Sequence, residues 1–180
     1  LSVRDDGHGM SRRDAELCFE RHSTSKISAE ADLEAISTLG FRGEALASIA
    51  AVARLTLKTS EGGSESGTKI EREGGGMPVV SSLAFPRGTT IEVRELFFNL
   101  PARRKFLQGD AAELGHIVKY LTGVALAYPA LRLTAVHGTR TVLSCPPVEG
   151  LRERIFQVYG RAVLDSLMEI ELTDDGGWRL

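Results

Sequence analysis

The chain has 180 residues, 42% of them hydrophobic and 26% charged, with a formal net charge of -2 at pH 7. That length supports one full core and part of a second, and the near-neutral balance leaves any DNA contact to a local basic patch. No apolar run approaches the ~20 residues that cross a bilayer. No signal-peptide pattern precedes the strand-like Leu1–Arg4. Cys18 and Cys145 set neither a disulfide framework nor a metal spacing and read as reduced thiols. A sequence that opens on Leu1 and ends on Leu180 is expected to be part of a longer protein.

In chain order, Leu1–Arg4 ends a strand and Asp5-Asp6-Gly7-His8-Gly9-Met10 forms a turn with several positions open to positive φ. Ser11-Arg12-Arg13-Asp14 is a weak capping box opening a short helix through Cys18, Phe19 and Glu20. The Ser/Thr-rich stretch Arg21–Leu39, with a short helical piece at Asp32–Ile36, is long enough to predict a functional loop. Gly43–Val52 reads as an apolar helix built on Leu46, Ile49 and Ala53.

Leu55, Leu57 and Thr59 alternate with Arg54, Thr56 and Lys58, the signature of a half-buried strand. Thr68–Arg72 and Thr90–Leu96 follow as strands, with turns at Glu61–Ser64 and Gly74–Gly76, and Ile91 and Val93 facing the core. Asn99-Leu100-Pro101 breaks the chain before a helix. Ala111–Ala127 is the strongest helix, with Leu114, Ile117, Val118, Leu121 and Ala125 on one stripe. Leu131–Val136 and Thr139–Leu143 form a hairpin about His137-Gly138, Cys145–Gly150 is the expected linker, Leu151–Tyr159 is helical, and Met168–Leu172 is a candidate strand. The pattern predicts an α+β fold with adjacent antiparallel strands and helices on one face.

Four segments carry candidate chemistry. In Asp5-Asp6-Gly7-His8-Gly9, adjacent carboxylates at a strand end point to opposite faces, which argues against an acid/base dyad. One carboxylate can instead accept from a buried amine while the glycines admit a flat ring, although a plain tight turn explains the same residues. Gly40-Phe41-Arg42-Gly43-Glu44-Ala45-Leu46 places glycines at a helix mouth, suited to an anion or to an ordinary helix start. His22-Ser23-Thr24-Ser25-Lys26 offers hydroxyls and an amine to phosphate, or merely a solvated loop. Arg103, Arg104 and Lys105 suit DNA phosphate or a solvent-facing turn. A P-loop is excluded, since Gly74-Gly75-Gly76 runs into Met77-Pro78. His8, His22, His116 and His137 show no metal spacing.

Taken in order, Asp-Asp-Gly-x-Gly-Met, Arg-His-x-Thr-Ser-Lys-Ile, Gly-Phe-Arg-Gly-Glu-Ala-Leu, Gly88-Thr89 and Leu-Phe-Phe-Asn-x-Pro-Ala-Arg-Arg-Lys-Phe-Leu resemble the MutL family of DNA mismatch-repair ATPases. That family belongs to the gyrase, chaperone, histidine-kinase and MutL (GHKL) superfamily, and the resemblance covers essentially the whole chain. It implies a GHKL-type two-layer sandwich, a mixed, mainly antiparallel sheet with helices on one face, over residues 1–146. Residues 147–180 would hold the linker and the start of a second, transducer-like α/β domain.

The resemblance also implies an ATP site. Asp5 matches the aspartate that binds the adenine amino group, Gly7 and Gly9 the glycines beside the base, and Thr89 a threonine at the adenine end. Arg21–Leu39 matches the lid, with Thr24, Ser25 and Lys26 near the phosphates. Phe41, Arg42, Gly43, Glu44, Ala45 and Leu46 match the phosphate cradle. Asp6, Phe98 and Leu100 stand where Asn, Tyr and Thr or Val are commoner in the family.

The family's catalytic Glu and Mg²⁺-ligating Asn lie on a helix preceding the Asp-Gly-x-Gly motif, and neither has a match here. The resemblance therefore implies an ATP-hydrolysing switch that dimerises, as a homodimer or a MutL-type heterodimer. It would meet DNA and a MutS-type mismatch-recognition protein, away from membranes, in a bacterial cytoplasm or, in a eukaryote, the nucleus. This chain alone is expected to bind ATP without turning it over. A non-catalytic nucleotide-binding or dimerisation module and a DNA-binding module are the competing expectations.

Overall fold

A computed structural model describes residues 1–20, 44–63 and 66–168. The expected lid and the Asp32–Ile36 stretch lie outside these residues, as does the Met168–Leu172 strand beyond Met168. The described chain divides into two compact units, Leu1–Leu107 and Gln108–Leu180.

The first unit is built on a five-stranded sheet of β1 (Ser2–Asp5), β2 (Arg54–Ser60), β3 (Gly67–Glu73), β4 (Val79–Leu83) and β5 (Gly88–Arg94), in spatial order β1-β5-β2-β3-β4. Every pairing is antiparallel. Directly opposed residues share a face, so the register sorts the side chains into rows. Val3, Ile91, Leu57, Ile70 and Val80 form an apolar row across all five strands. The next row on the same face is Asp5, Thr89, Thr59, Thr68 and Ser82. The core face thus turns polar at one end, beside the Asp5–Met10 turn.

Two short helices cover the apolar rows. Helix α1 (Arg12–Leu17) starts at Ser11, whose hydroxyl accepts from the Asp14 N–H at 3.1 Å and donates to the Asp14 carboxylate at 2.8 Å. Helix α2 (Ala45–Ala50) packs on β2, and α1 on β3. Ala15, Phe19 and Ala50 bury against Leu55, Leu57 and Ile70, with Met10, Cys18, Leu46, Ile49, Val80, Ile91 and Val93 around them. Each fully buried Leu or Ile contributes about 1.5–3 kcal/mol. Arg72 seals one end, its guanidinium 5.5 Å from the Phe19 ring centroid and donating to the Gly76 carbonyl at 3.2 Å.

Six residues are too few for a free-standing helix, and α2 is held at its C-terminal end by four hydrogen bonds. The Ala50 carbonyl accepts from Gly75 N–H at 3.0 Å, Val52 from Phe97 N–H at 2.7 Å, and Ala53 from Gly74 N–H at 3.2 Å. Asn99 Nδ2 donates to the Ala51 carbonyl at 3.0 Å. Phe97 and Glu95 take positive φ, 61° and 49°, to aim this segment back at the helix. Helix α3 (Pro101–Arg104) follows, opened by its proline.

Strand β4 is an element the sequence did not disclose. Val79-Val80-Ser81-Ser82-Leu83 lacks alternation because it is an edge strand with one side largely exposed.

In the second unit, α4 (Asp110–Ala127), the hairpin β6 (Leu133–His137) and β7 (Arg140–Cys145), and α5 (Leu151–Ser166) pack together. The hairpin closes on the His137–Arg140 pair, so Gly138, at φ 60°, is the first loop residue and the turn sits one residue later than expected. Within α5, two helical pieces meet at a kink at Gly160, φ 80°, where the expected Leu151–Tyr159 helix ends, and the second piece reaches the buried Leu164. Fully buried Arg154 ties it down, donating to the carbonyls of Pro129 and, at 2.7 Å, Leu131, and to Gln157 Oε1 at 2.7 Å. The Cys145–Gly150 stretch, read as a linker from its prolines, therefore lies within this unit. Among the described residues, no helix is long and apolar enough to cross a membrane.

Candidate functional site

Two of the predicted site residues, Asp5 and Thr89, meet on the polar row. Asp5 ends β1 directly opposite Thr89 on β5, and Thr89 lies directly opposite Thr59 on β2. Asp5 is exposed, whereas Thr89 and Thr59 are buried. A carboxylate at the rim and the Thr89 hydroxyl beneath it can present hydrogen-bond acceptors at the polar end of a largely apolar face. An exocyclic amine on a flat apolar ring suits that combination.

The turn after Asp5 is shaped by close backbone approach. Gly7 N–H donates to Asp5 Oδ1 at 3.0 Å, which holds the carboxylate beside the turn. Gly9 has φ 75°, and a Cβ there would stand 1.9 Å from the Ser60 carbonyl oxygen. Gly88 has φ 120°, and a Cβ there would stand 2.3 Å from the Asp5 carbonyl oxygen. Only glycine fits either position without moving a strand. The Met10 N–H then reaches Thr59 Oγ1 at 2.9 Å.

Thr59 is the residue that sequence reasoning missed. Its hydroxyl donates to the Gly88 carbonyl at 3.1 Å and lies 3.1 Å from Thr89 Oγ1. In the sequence it reads as an ordinary β-former, and the one available signal was a hydroxyl at a core-facing position of an alternating strand.

The other predicted residues divide. Glu44, Ala45 and Leu46 open α2, with Leu46 packed against the core. Thr24, Ser25, Lys26, Phe41, Arg42 and Gly43 lie outside the described residues. Arg103 and Arg104 are exposed on α3 and Lys105 is its exposed C-cap. They follow the Arg94 end of β5, whereas Thr89 is near its start. Five residues of strand, about 17 Å, separate those ends, so the basic segment is not part of the acceptor row.

The outer face of the sheet carries a concavity of about 500 Å³ lined by Arg54, Lys58, Lys69, Glu71, Glu92 and Arg94, among others. Its charges largely pair with one another, as in Lys69–Glu71 at 2.8 Å and Arg94–Glu92 at 2.7 Å. The Arg94 hydrogen bond holds the Glu92 carboxyl below its ordinary range. No predicted nucleotide residue lines this hollow, and the acceptor row on the core face is the better candidate. Among the described residues, no three His, Cys, Asp or Glu side chains gather as a metal site.

The sequence is 47% identical over 170 residues to the DNA mismatch repair protein MutL of Koribacter versatilis, covering 94% of this chain and 26% of that protein. MutL of Syntrophotalea carbinolica is 46% identical over 180 residues, covering 100% of this chain and 29% of that one. The chain belongs to the MutL family. No family model matches it. Among solved structures, the Aquifex aeolicus MutL ATPase domain complexed with ADP aligns with a TM-score of 0.69 at 29% identity, over 88% of this chain and 55% of that one. The N-terminal domain of a DNA repair protein aligns with a TM-score of 0.75 at 26% identity, over 95% and 50%. This MutL-family chain thus spans less than a third of its curated relatives' length, and its antiparallel sheet with helices is the fold of MutL ATPase domains.

Proposed function

We propose that the chain is an ATP-binding part of a mismatch-repair switch and that the acceptor row holds adenine. One observation carries this: Asp5 and Thr89, far apart in sequence, stand directly opposed at the polar end of a largely apolar sheet face. The A. aeolicus MutL domain, a structure of the same fold, is complexed with ADP. Gly7 and Gly9 line the base, while Glu44, Ala45 and Leu46 continue the phosphate cradle begun by Phe41, Arg42 and Gly43. Thr24, Ser25 and Lys26 belong to the lid over the phosphates, and α5 opens a transducer-like domain.

In the whole protein, bound nucleotide and Mg²⁺ would drive dimerisation and engagement of DNA and a MutS-type partner, in a cytoplasmic or nuclear setting. Hydrolysis needs a positioned base and a metal ligand, and no residue of this sequence matches the family's Glu or Asn. The 180-residue chain is therefore expected to bind ADP saturably in a calorimetric titration and to release no phosphate from Mg-ATP at steady state. Absence of ADP binding contradicts the nucleotide reading, and sustained turnover contradicts the assignment of the base to residues not present here.

Arg103, Arg104 and Lys105 present three exposed cations on and beside α3, suited to DNA phosphate. Reversing all three charges is expected to weaken DNA binding and flatten its salt dependence without changing ADP affinity. Equal DNA affinity before and after reversal removes this segment from the interface.

A further inference from the structure

We infer that Thr59, which touches no ligand, is the positioning residue that makes Thr89 a hydrogen-bond acceptor and so sets the site's preference for a 6-aminopurine over a 6-oxopurine. The inference rests on the adenine reading above and adds a residue to it.

A threonine hydroxyl has one proton to give and two lone pairs to receive with. Thr59 Oγ1 is fully buried and has three polar neighbours: Met10 N–H at 2.9 Å, the Gly88 carbonyl at 3.1 Å and Thr89 Oγ1 at 3.1 Å. The Met10 N–H can only donate and the Gly88 carbonyl can only accept. The single Thr59 proton therefore goes to Gly88, and Thr89 must supply the proton between the two hydroxyls. The reverse assignment leaves Thr59 Oγ1 and the Gly88 oxygen 3.1 Å apart with no proton between them, in a place water does not reach.

Thr89, having given its proton inward, offers only lone pairs to whatever lies on the face it shares with Asp5. Asp5 is an acceptor as well, with Oδ1 already receiving from Gly7 N–H. Two adjacent acceptors fit the two N–H groups of an exocyclic amine and repel a 6-oxo oxygen. Were Thr89 free to rotate, it would donate to a 6-oxo group as readily as it accepts from a 6-amino group. Its buried neighbour removes that freedom.

The test compares ADP with inosine diphosphate, which carries oxygen in place of the 6-amino group, in equilibrium titrations of the whole 180-residue chain. Wild type is expected to prefer ADP. Thr59→Val keeps the shape, removes the proton acceptor and is expected to narrow the ratio of the two dissociation constants by about fivefold to tenfold, the worth of one hydrogen bond. Thr59→Ser keeps the hydroxyl and is expected to retain the wild-type ratio. Thr59→Val also leaves the Met10 N–H unpaired, so melting curves accompany each titration. If it does not fold, Thr59→Cys, with a weakly accepting sulfur of similar size, carries the same expectation. Equal weakening for both nucleotides with an unchanged ratio shows a merely structural Thr59 and overturns the inference. A wild-type chain that binds both nucleotides alike overturns the adenine reading itself, a failure visible before any variant is made.

Discussion

At the residue scale, a Cβ on Gly9 would stand 1.9 Å from the Ser60 carbonyl oxygen at a φ of 75°. Gly9→Ala is therefore expected to destabilise the first unit by about 2 kcal/mol or more, read as a lowered urea midpoint. An unchanged midpoint would show that the turn relaxes freely. Cys18 makes a second case. Burial pushes its thiol from 9.0 up to about 11, although nearby Arg72 pulls the other way. Folding thus favours the neutral thiol, and its contribution to stability is complete below pH 9 and lost as pH rises towards 11. The thiol is expected to alkylate slowly at pH 8, and the urea midpoint to fall between pH 9 and 11 more steeply than in Cys18→Ala. Rapid alkylation of the folded chain would contradict this. Asp5, Gly7 and Gly9 stand out in the sequence because a motif carries them. Thr59 does not, because its role comes from contacts that only the folded sheet creates: Gly88 and Thr89 across the β2–β5 pairing, and Met10 from the turn after β1.

At the scale of elements, periodicity exposed β2, whose Leu55, Leu57 and Thr59 are buried, and marked β5 and α4, although Ile117 of the expected α4 stripe is exposed. Edge strand β4 was hidden because it has little buried surface to pattern, whereas the first helical piece of α5 ended as read, at the kink that Gly160 makes. Helix α2 was visible as apolar sequence, but what holds it was not. Its C-terminal carbonyls are taken up by two distant turns, one after β3 and one after β5. Asn99→Ala leaves the Ala51 carbonyl without its donor and is expected to cost about 1 kcal/mol, with ADP affinity falling further than the melting point if α2 also carries the phosphate cradle. A variant that binds ADP as wild type does, at any melting point, would separate α2 from the nucleotide. Arg154 plays the equivalent part in the second unit, where its buried guanidinium holds the carbonyls of Pro129 and Leu131.

At the scale of the molecule, the α+β class and the antiparallel sheet followed from short strands that neighbour one another in sequence across turns, with helices gathered on one face. The Pro-Pro stretch after Cys145 lies inside the compact unit Gln108–Leu180, where α5 packs on α4 and β7. Composition reports loops, whereas unit boundaries depend on which helix packs on which strand. The account rests most heavily on Asp5 as the adenine contact, because Asp5 lies at the rim, where a change disturbs little of the core. The direct measurement is a calorimetric titration of ADP into the wild-type chain and Asp5→Ala side by side. A loss of about tenfold or more in affinity, with melting curves that superimpose, is the predicted result. Equal ADP affinity in the two proteins would contradict the assignment of the acceptor row as the adenine site.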